Sequence, residues 1–146
     1  MSSNEAQHKP LRFEIPGNPI AKKRPRFVRR GKFVGTYNAQ ETEEGKFIIQ
    51  VMQQHKGPVI DAPIELHCFF DMPIPKSTSK KKRALMLKNE IKHTKKPDID
   101  NHVKFAMDCL NGIVWRDDSQ VTALKAWKGY SDNPKTVIVV HAQEGV

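Results

Sequence analysis

Apolar positions along the chain fall into short blocks whose spacing switches between two and three-to-four. Leu11, Phe13 and Ile15 alternate with polar neighbours, which predicts a strand over Leu11 to Ile15 that Pro16-Gly17 stops. Phe47, Ile48, Val51 and Met52 recur at helical spacing. Glu43 and Glu44 stand in the first turn, where the helix dipole favours acids, and a helix over Glu41 to His55 follows. Ile64, Leu66, Cys68 and Phe70 return to alternation and predict a strand over Ile64 to Met72. After the loop Pro73 to Ser77, Ser79 is placed to cap a short basic helix reaching about Ile91. Lys92 to Pro97 reads as a loop, because Pro97 biases Lys96 away from helix. A second apolar stripe, Val103, Ala106, Met107 and Leu110, predicts a helix over Asn101 to Asn111 with Gly112 as its stop. Val121 to Tyr130 and Thr136 to His141 read as two closing strands joined around Ser131 to Pro134.

Between the first strand and first helix, Asn18 to Asn38 reads as a loop in which Phe33-Val34 can pair as a hairpin. Met1 to Lys9 is polar and expected to fray. With no internal repeat and no linker, 146 residues make one domain of α+β class, a mixed sheet with helices packed against it.

Composition narrows the classes. At 38% hydrophobic and 28% charged residues there is material for one modest core. No apolar run approaches the ~20 residues of a membrane span, and no apolar stretch follows the N-terminus as a secretory signal requires. Cys68 and Cys109 lack zinc-ligand spacing and a disulfide framework, so a cytoplasmic protein is expected.

The net charge of +9 is concentrated. Lys22, Lys23, Arg24, Arg26, Arg29, Arg30 and Lys32 form one run without an acid. Lys76, Lys80, Lys81, Lys82, Arg83, Lys88, Lys92, Lys95 and Lys96 form another, opposed only by Glu90. These two runs hold 16 of the 25 basic residues and one of the 16 acids. Such concentration seeks a polyanion, since each phosphate neutralised releases a counterion, and nucleic acid is the favoured partner. Phe27 and Phe33, amid the first run, are candidates to stack on exposed bases.

Directly after the second run, Asp98, Asp100, Asp108, Asp117 and Asp118 fall within 21 residues. Carboxylates repel phosphates unless a divalent cation stands between them. Hard oxygen ligands suit Mg²⁺, which polarises a phosphoryl oxygen and activates water. If the chain enters the helix extended, Asp98 and Asp100 project to one side. Lys104, four residues after Asp100, returns to the same helical face, where its ammonium can stabilise a pentavalent phosphorane-like transition state. Each residue also has a plainer reading: Asp100 as an N-cap, Asp117-Asp118 as turn residues, Lys104 and Asp108 as a solvated pair.

The string Lys96 to Val121, KPDIDNHVKFAMDCLNGIVWRDDSQV, resembles the signature of the RusA family of Holliday junction resolvases, with its D-x-D-N, Lys and W-x-D-D-x-Q positions. The match continues into a Lys-bearing strand, Val121 to Lys128, and Pro16-Gly17-Asn18-Pro19 with the basic residues after it is similar to phage and prophage members. The resemblance implies a small homodimer, nucleoid-associated and of phage or prophage type, that cuts four-way DNA junctions symmetrically with Mg²⁺ or Mn²⁺. By position, the family's metal-holding carboxylates fall on Asp98, Asp100 and Asp118 and its essential lysine on Lys104, with Asn101 and Asp117 at adjoining positions. Lys22, Lys23, Arg24, Arg26, Arg29, Arg30, Lys80, Lys81, Lys82, Arg83, Lys95, Lys96 and Asn101 are then expected to meet DNA. His102 departs from the apolar residue of many relatives and is expected to face solvent. The alternative is a non-catalytic nucleic-acid binder whose acids are caps and turns. A PD-(D/E)xK nuclease built on Asp71 and Glu90-Ile91-Lys92 fits poorly, because that motif wants its ExK on a strand.

Overall fold

The computed structural model describes residues 9–23, 26–30, 33–37 and 40–143, and for 26–30 and 33–37 the backbone alone. The elements run β1 (Leu11–Pro16), β2 (Arg26–Arg30), β3 (Phe33–Tyr37), α1 (Glu41–Gln54), β4 (Ile64–Pro73), α2 (Lys80–Leu87), α3 (Ile99–Leu110), a 3₁₀ turn (Asp118–Gln120), β5 (Val121–Ser131) and β6 (Lys135–Ala142). Four strands form one mixed sheet in the order β1-β6-β4-β5, and β2 pairs with β3 in a separate antiparallel hairpin. This is the α+β class expected. β6 is antiparallel to both β1 and β4, whereas β4 and β5 are parallel. Parallel neighbours need a crossover, and here that crossover carries α2, α3 and the acidic turn.

Strict alternation in β4 puts Ile64, Leu66, Cys68, Phe70 and Met72 on the covered face. Phe13 and Ile15 of β1 and Ile138 and Val140 of β6 extend this floor. α1 lays Phe47 and Val51 on it, and α3 lays Val103, Phe105, Ala106, Cys109 and Leu110, with Phe47 and Phe105 edge to face at 5.6 Å. Removing a side chain such as Leu66 or Phe70 from water stabilises by about 2–3 kcal/mol. Both cysteines are free and buried in this layer, which pushes their thiols up to about 12.

Several elements differ from expectation. α2 ends at Leu87, about four residues early. Asn89 takes a left-handed φ of 62°, and the amides of Glu90 and Ile91 turn back onto the Leu85 carbonyl. Glu90 and Lys92 thus lie on a loop, not on the strand a PD-(D/E)xK site wants. Met52, expected in the apolar stripe of α1, is exposed. The two closing strands form within a residue of the expected bounds and flank β4 on either side. α3 begins at Ile99, two residues before the expected start.

His102 is the clearest correction. It is fully buried, not solvent-facing, and its ring lies 5.0 Å from that of Phe70. Three and seven residues before Phe105 and Cys109, it shares their inward face. Neither ring nitrogen has a hydrogen bond of good geometry among the described residues. Burial holds its pKa below the usual histidine range, against a weaker opposing pull from the Ile20 backbone. Among the described residues, no helix is long and apolar enough to cross a membrane.

Candidate active site

The first turn of α3 presents two carboxylates. Asp98 is the N-cap residue, with extended backbone (φ −69°, ψ 149°), and Asp100 lies inside the helix. The two-residue repeat that would align them holds for extended chain only; two positions apart in a helix is a rotation of about 200°. Asp98 caps by its backbone carbonyl, which accepts from the Asn101 and His102 amides, and its side chain makes no capping bond. Both carboxylates are exposed, and among the described residues neither makes a hydrogen bond or ion pair. The positive end of the helix favours charge there. Lys104 is exposed one turn beyond Asp100 on the same face, without an ion-pair partner among the described residues.

The other acids arrive after the helix. Gly112, at φ +79°, bends the chain back, and its amide donates to the Trp115 carbonyl at 2.7 Å. Asp117 caps the 3₁₀ turn: its Oδ2 accepts from the Ser119 amide at 2.9 Å, while Gln120 accepts from the Asp117 amide at 2.7 Å. The Ser119 contact holds the Asp117 carboxyl below its usual range. Asp118 is half-buried, and its Oδ1 accepts from the indole Nε1 of fully buried Trp115 at 2.8 Å. Burial raises the Asp118 pKa. The Trp115 bond opposes this, the charges of Asp108 and Asp117 add to it, and Lys104 lowers it.

These interactions bring Asp118, Lys104 and Asp108 into one electrostatic neighbourhood. Asp108 does not pair with Lys104; its carboxylate meets the ammonium of Lys22 at 3.1 Å, and Lys22 also reaches Glu44 at 3.7 Å. Oxygen-only donors with unused valence at Asp98, Asp100 and the second oxygen of Asp118 suit a hard cation such as Mg²⁺. Among the described residues, no three His, Cys, Asp or Glu side chains are grouped closely enough to hold a metal ion. Ligation by all three aspartates would therefore draw the first turn of α3 and the 3₁₀ turn toward one another.

The basic residues divide by place. Lys80, Lys81 and Lys82 are exposed on α2, which Ser79 caps by accepting from the Lys82 amide at 3.2 Å; Arg83 is half-buried. Lys95 and Lys96 are exposed on the loop before Asp98. Lys23 is exposed, but Lys22 is engaged internally, and its amide donates to the carbonyl of half-buried Asn101 at 2.8 Å. Arg24 lies outside the described residues, as do Lys32, residues 1–8 of the expected frayed terminus, and the side chains of Arg26, Arg29, Arg30, Phe27 and Phe33.

Two side chains have positioning roles that the sequence does not show. Buried Gln40 accepts from the Lys23 amide and donates to the Ala21 carbonyl, both at 2.6 Å, closing the base of the segment that carries β2 and β3. Lys128 of β5 donates to the carbonyls of Lys95 and Pro97 at 2.8 and 2.9 Å. Its sequence signal is parity: Lys128 is a cation at a position that alternation assigns to the covered face of the sheet, in register with Phe70.

The family model described as Endodeoxyribonuclease RusA matches residues 16–141. The "Uncharacterized protein YqaN" of Bacillus subtilis (strain 168) is 35% identical over 134 residues, spanning 89% of this chain and 94% of that one. The family match runs from the end of β1 into β6 and takes in both aspartate segments, Lys104, Trp115 and Lys128. The chain belongs to the RusA endodeoxyribonuclease family.

Proposed function

We propose that this chain is a divalent-metal-dependent, structure-selective endodeoxyribonuclease that resolves Holliday junctions by paired symmetric nicks, serving DNA recombination and repair in the cytoplasm. The observation that carries this reading is a pair of carboxylates, Asp98 and Asp100, unpartnered among the described residues, at the exposed start of α3 directly after exposed Lys95 and Lys96.

Asp98, Asp100 and Asp118 would hold Mg²⁺ or Mn²⁺. When bound, the cation supplies a polarised phosphoryl oxygen and a water acidic enough to attack at neutral pH. Trp115 keeps one Asp118 oxygen fixed, so that carboxylate turns little as the site assembles. Lys104 stands one turn from Asp100, where its ammonium offsets charge on the transferring phosphate. Lys80, Lys81, Lys82, Lys95 and Lys96 supply counter-charge along the flanking backbone. A two-fold homodimer would place two such sites on a two-fold symmetric junction, one for each nick.

A non-catalytic DNA binder is the second reading, favoured by the separation of the acids. Incubating a synthetic four-way junction with the protein, with and without Mg²⁺, separates the two when nicks are mapped on all strands. Paired nicks at symmetry-related positions, seen only with Mg²⁺, support the nuclease. Junction binding that survives EDTA, with no nick under any metal, supports the binder and refutes the proposal.

A further inference from the structure

The loop that delivers Asp98 is held by side chains and not by its own backbone, and at its start the His93 ring lies 4.7 Å from that of Tyr130 on β5. Between Lys92 and Pro97, no amide or carbonyl takes part in a backbone–backbone hydrogen bond among the described residues. The carbonyls of Lys95 and Pro97 both accept from one ammonium, that of Lys128, at 2.8 and 2.9 Å. Lys128 belongs to a different element, the edge strand β5, whose backbone is fixed by its full-length parallel ladder to β4. It is half-buried, and no carboxylate competes for it among the described ion pairs. A lysine placed on a sheet and spending two donors on the carbonyls of one loop is a tie, not a solvated surface charge.

We propose that Lys128 is a positioning residue for the candidate metal centre: its ammonium clamps the carbonyls one and three residues before Asp98 and so sets where the Asp98 carboxylate stands. This rests on the nuclease reading above. Lys128 acts on the backbone only, so it touches neither cation nor substrate. It also fixes the start of α3, since Pro97 is the residue immediately before the N-cap. Rigid placement of a ligand by a group behind it commonly changes metal affinity or activity by ~10–100-fold.

Lys128→Met keeps the length of the side chain and removes the donors. The expected result is a rise of roughly tenfold in the Mn²⁺ concentration giving half-saturation by electron paramagnetic resonance, with a similar fall in kcat. Junction affinity and its salt slope stay as in the wild type, and amide exchange accelerates at Asn101 and His102, whose amides donate to the Asp98 carbonyl. Lys128→Cys, alkylated with bromoethylamine to restore an ammonium at nearly the same reach, recovers Mn²⁺ affinity. The native Cys68 and Cys109 are buried and do not compete for the reagent. Lys128→Met with wild-type Mn²⁺ affinity and wild-type exchange overturns the proposal. So does a fall in junction affinity with a shallower salt slope, which would make Lys128 a phosphate contact. A wild type that neither binds Mn²⁺ nor nicks DNA would instead refute the nuclease reading itself, and this proposal with it.

Discussion

The indole nitrogen of Trp115 donates to Oδ1 of Asp118 across 2.8 Å, joining the largest fully buried side chain of the described residues to a candidate catalytic carboxylate. The core thereby aims the site. Trp115→Phe keeps most of the packing but leaves a gap and an unmatched acceptor. Together these cost roughly 2–3 kcal/mol, measurable by urea denaturation. Nicking should fall by about tenfold or more, while junction affinity holds. Unchanged nicking would show that the bond only supports the turn.

Asp98 and Asp100 separate function from capping. Neither side chain contributes a bond to α3, so Asp98→Asn and Asp100→Asn should each leave stability within ~0.5 kcal/mol of wild type. The same substitutions should lower Mg²⁺-dependent nicking by about a hundredfold or more and leave junction binding intact. Destabilisation of ~1 kcal/mol or more would restore the capping reading.

Asp118 carries a pH signature. Burial first, then the neighbouring Asp108 and Asp117 charges, raise its folded pKa above the unfolded value, against Trp115 and Lys104. A carboxyl raised in this way contributes stability that is complete below the unfolded pKa and is lost as pH rises through the folded one. Ionised Asp118 is therefore a cost at neutral pH. Asp118→Asn, which keeps an oxygen for the indole, should raise the denaturation midpoint at neutral pH. That advantage should vanish as pH falls through the carboxylate range. A variant less stable than wild type at neutral pH would contradict this.

The basic residues are not equivalent. Lys22 is held between Asp108 and Glu44, so Lys22→Met should cost stability of about 1 kcal/mol while barely changing the salt dependence of junction binding. Lys81 is exposed on α2, and Lys81→Met should leave stability alone and reduce the salt slope by about 0.9. Comparing the two slopes by fluorescence anisotropy checks the assignment, and equal slopes would place Lys22 on the DNA.

Period and punctuation make most of the fold legible. Alternation in β4 and the Phe47–Val51 spacing in α1 name residues that do meet in the core. The acidic strings Asp98 to Asp100 and Asp117-Asp118 stand out as a cluster in the bare sequence. What spacing cannot show is partnership. Lys104 and Asp108 have the separation of a helical pair, yet the carboxylate is taken by Lys22, far away along the chain, because the root of the basic segment packs against α3. His102 is polar enough for solvent, but it lies within the inward face of α3, with Ile99 one turn before it and Phe105 and Ala106 one turn after. Asp98 and Asp100 fall on one side only if the helix starts two residues later than it does.

The central claim is that Asp98, Asp100 and Asp118 close on one divalent cation, and anomalous scattering from crystals of the protein grown with Mn²⁺ tests it most directly. The account predicts a single strong peak within coordination distance of all three carboxylates, absent in crystals of Asp98→Asn. Well-diffracting Mn²⁺ crystals with no peak between the start of α3 and the 3₁₀ turn would contradict it.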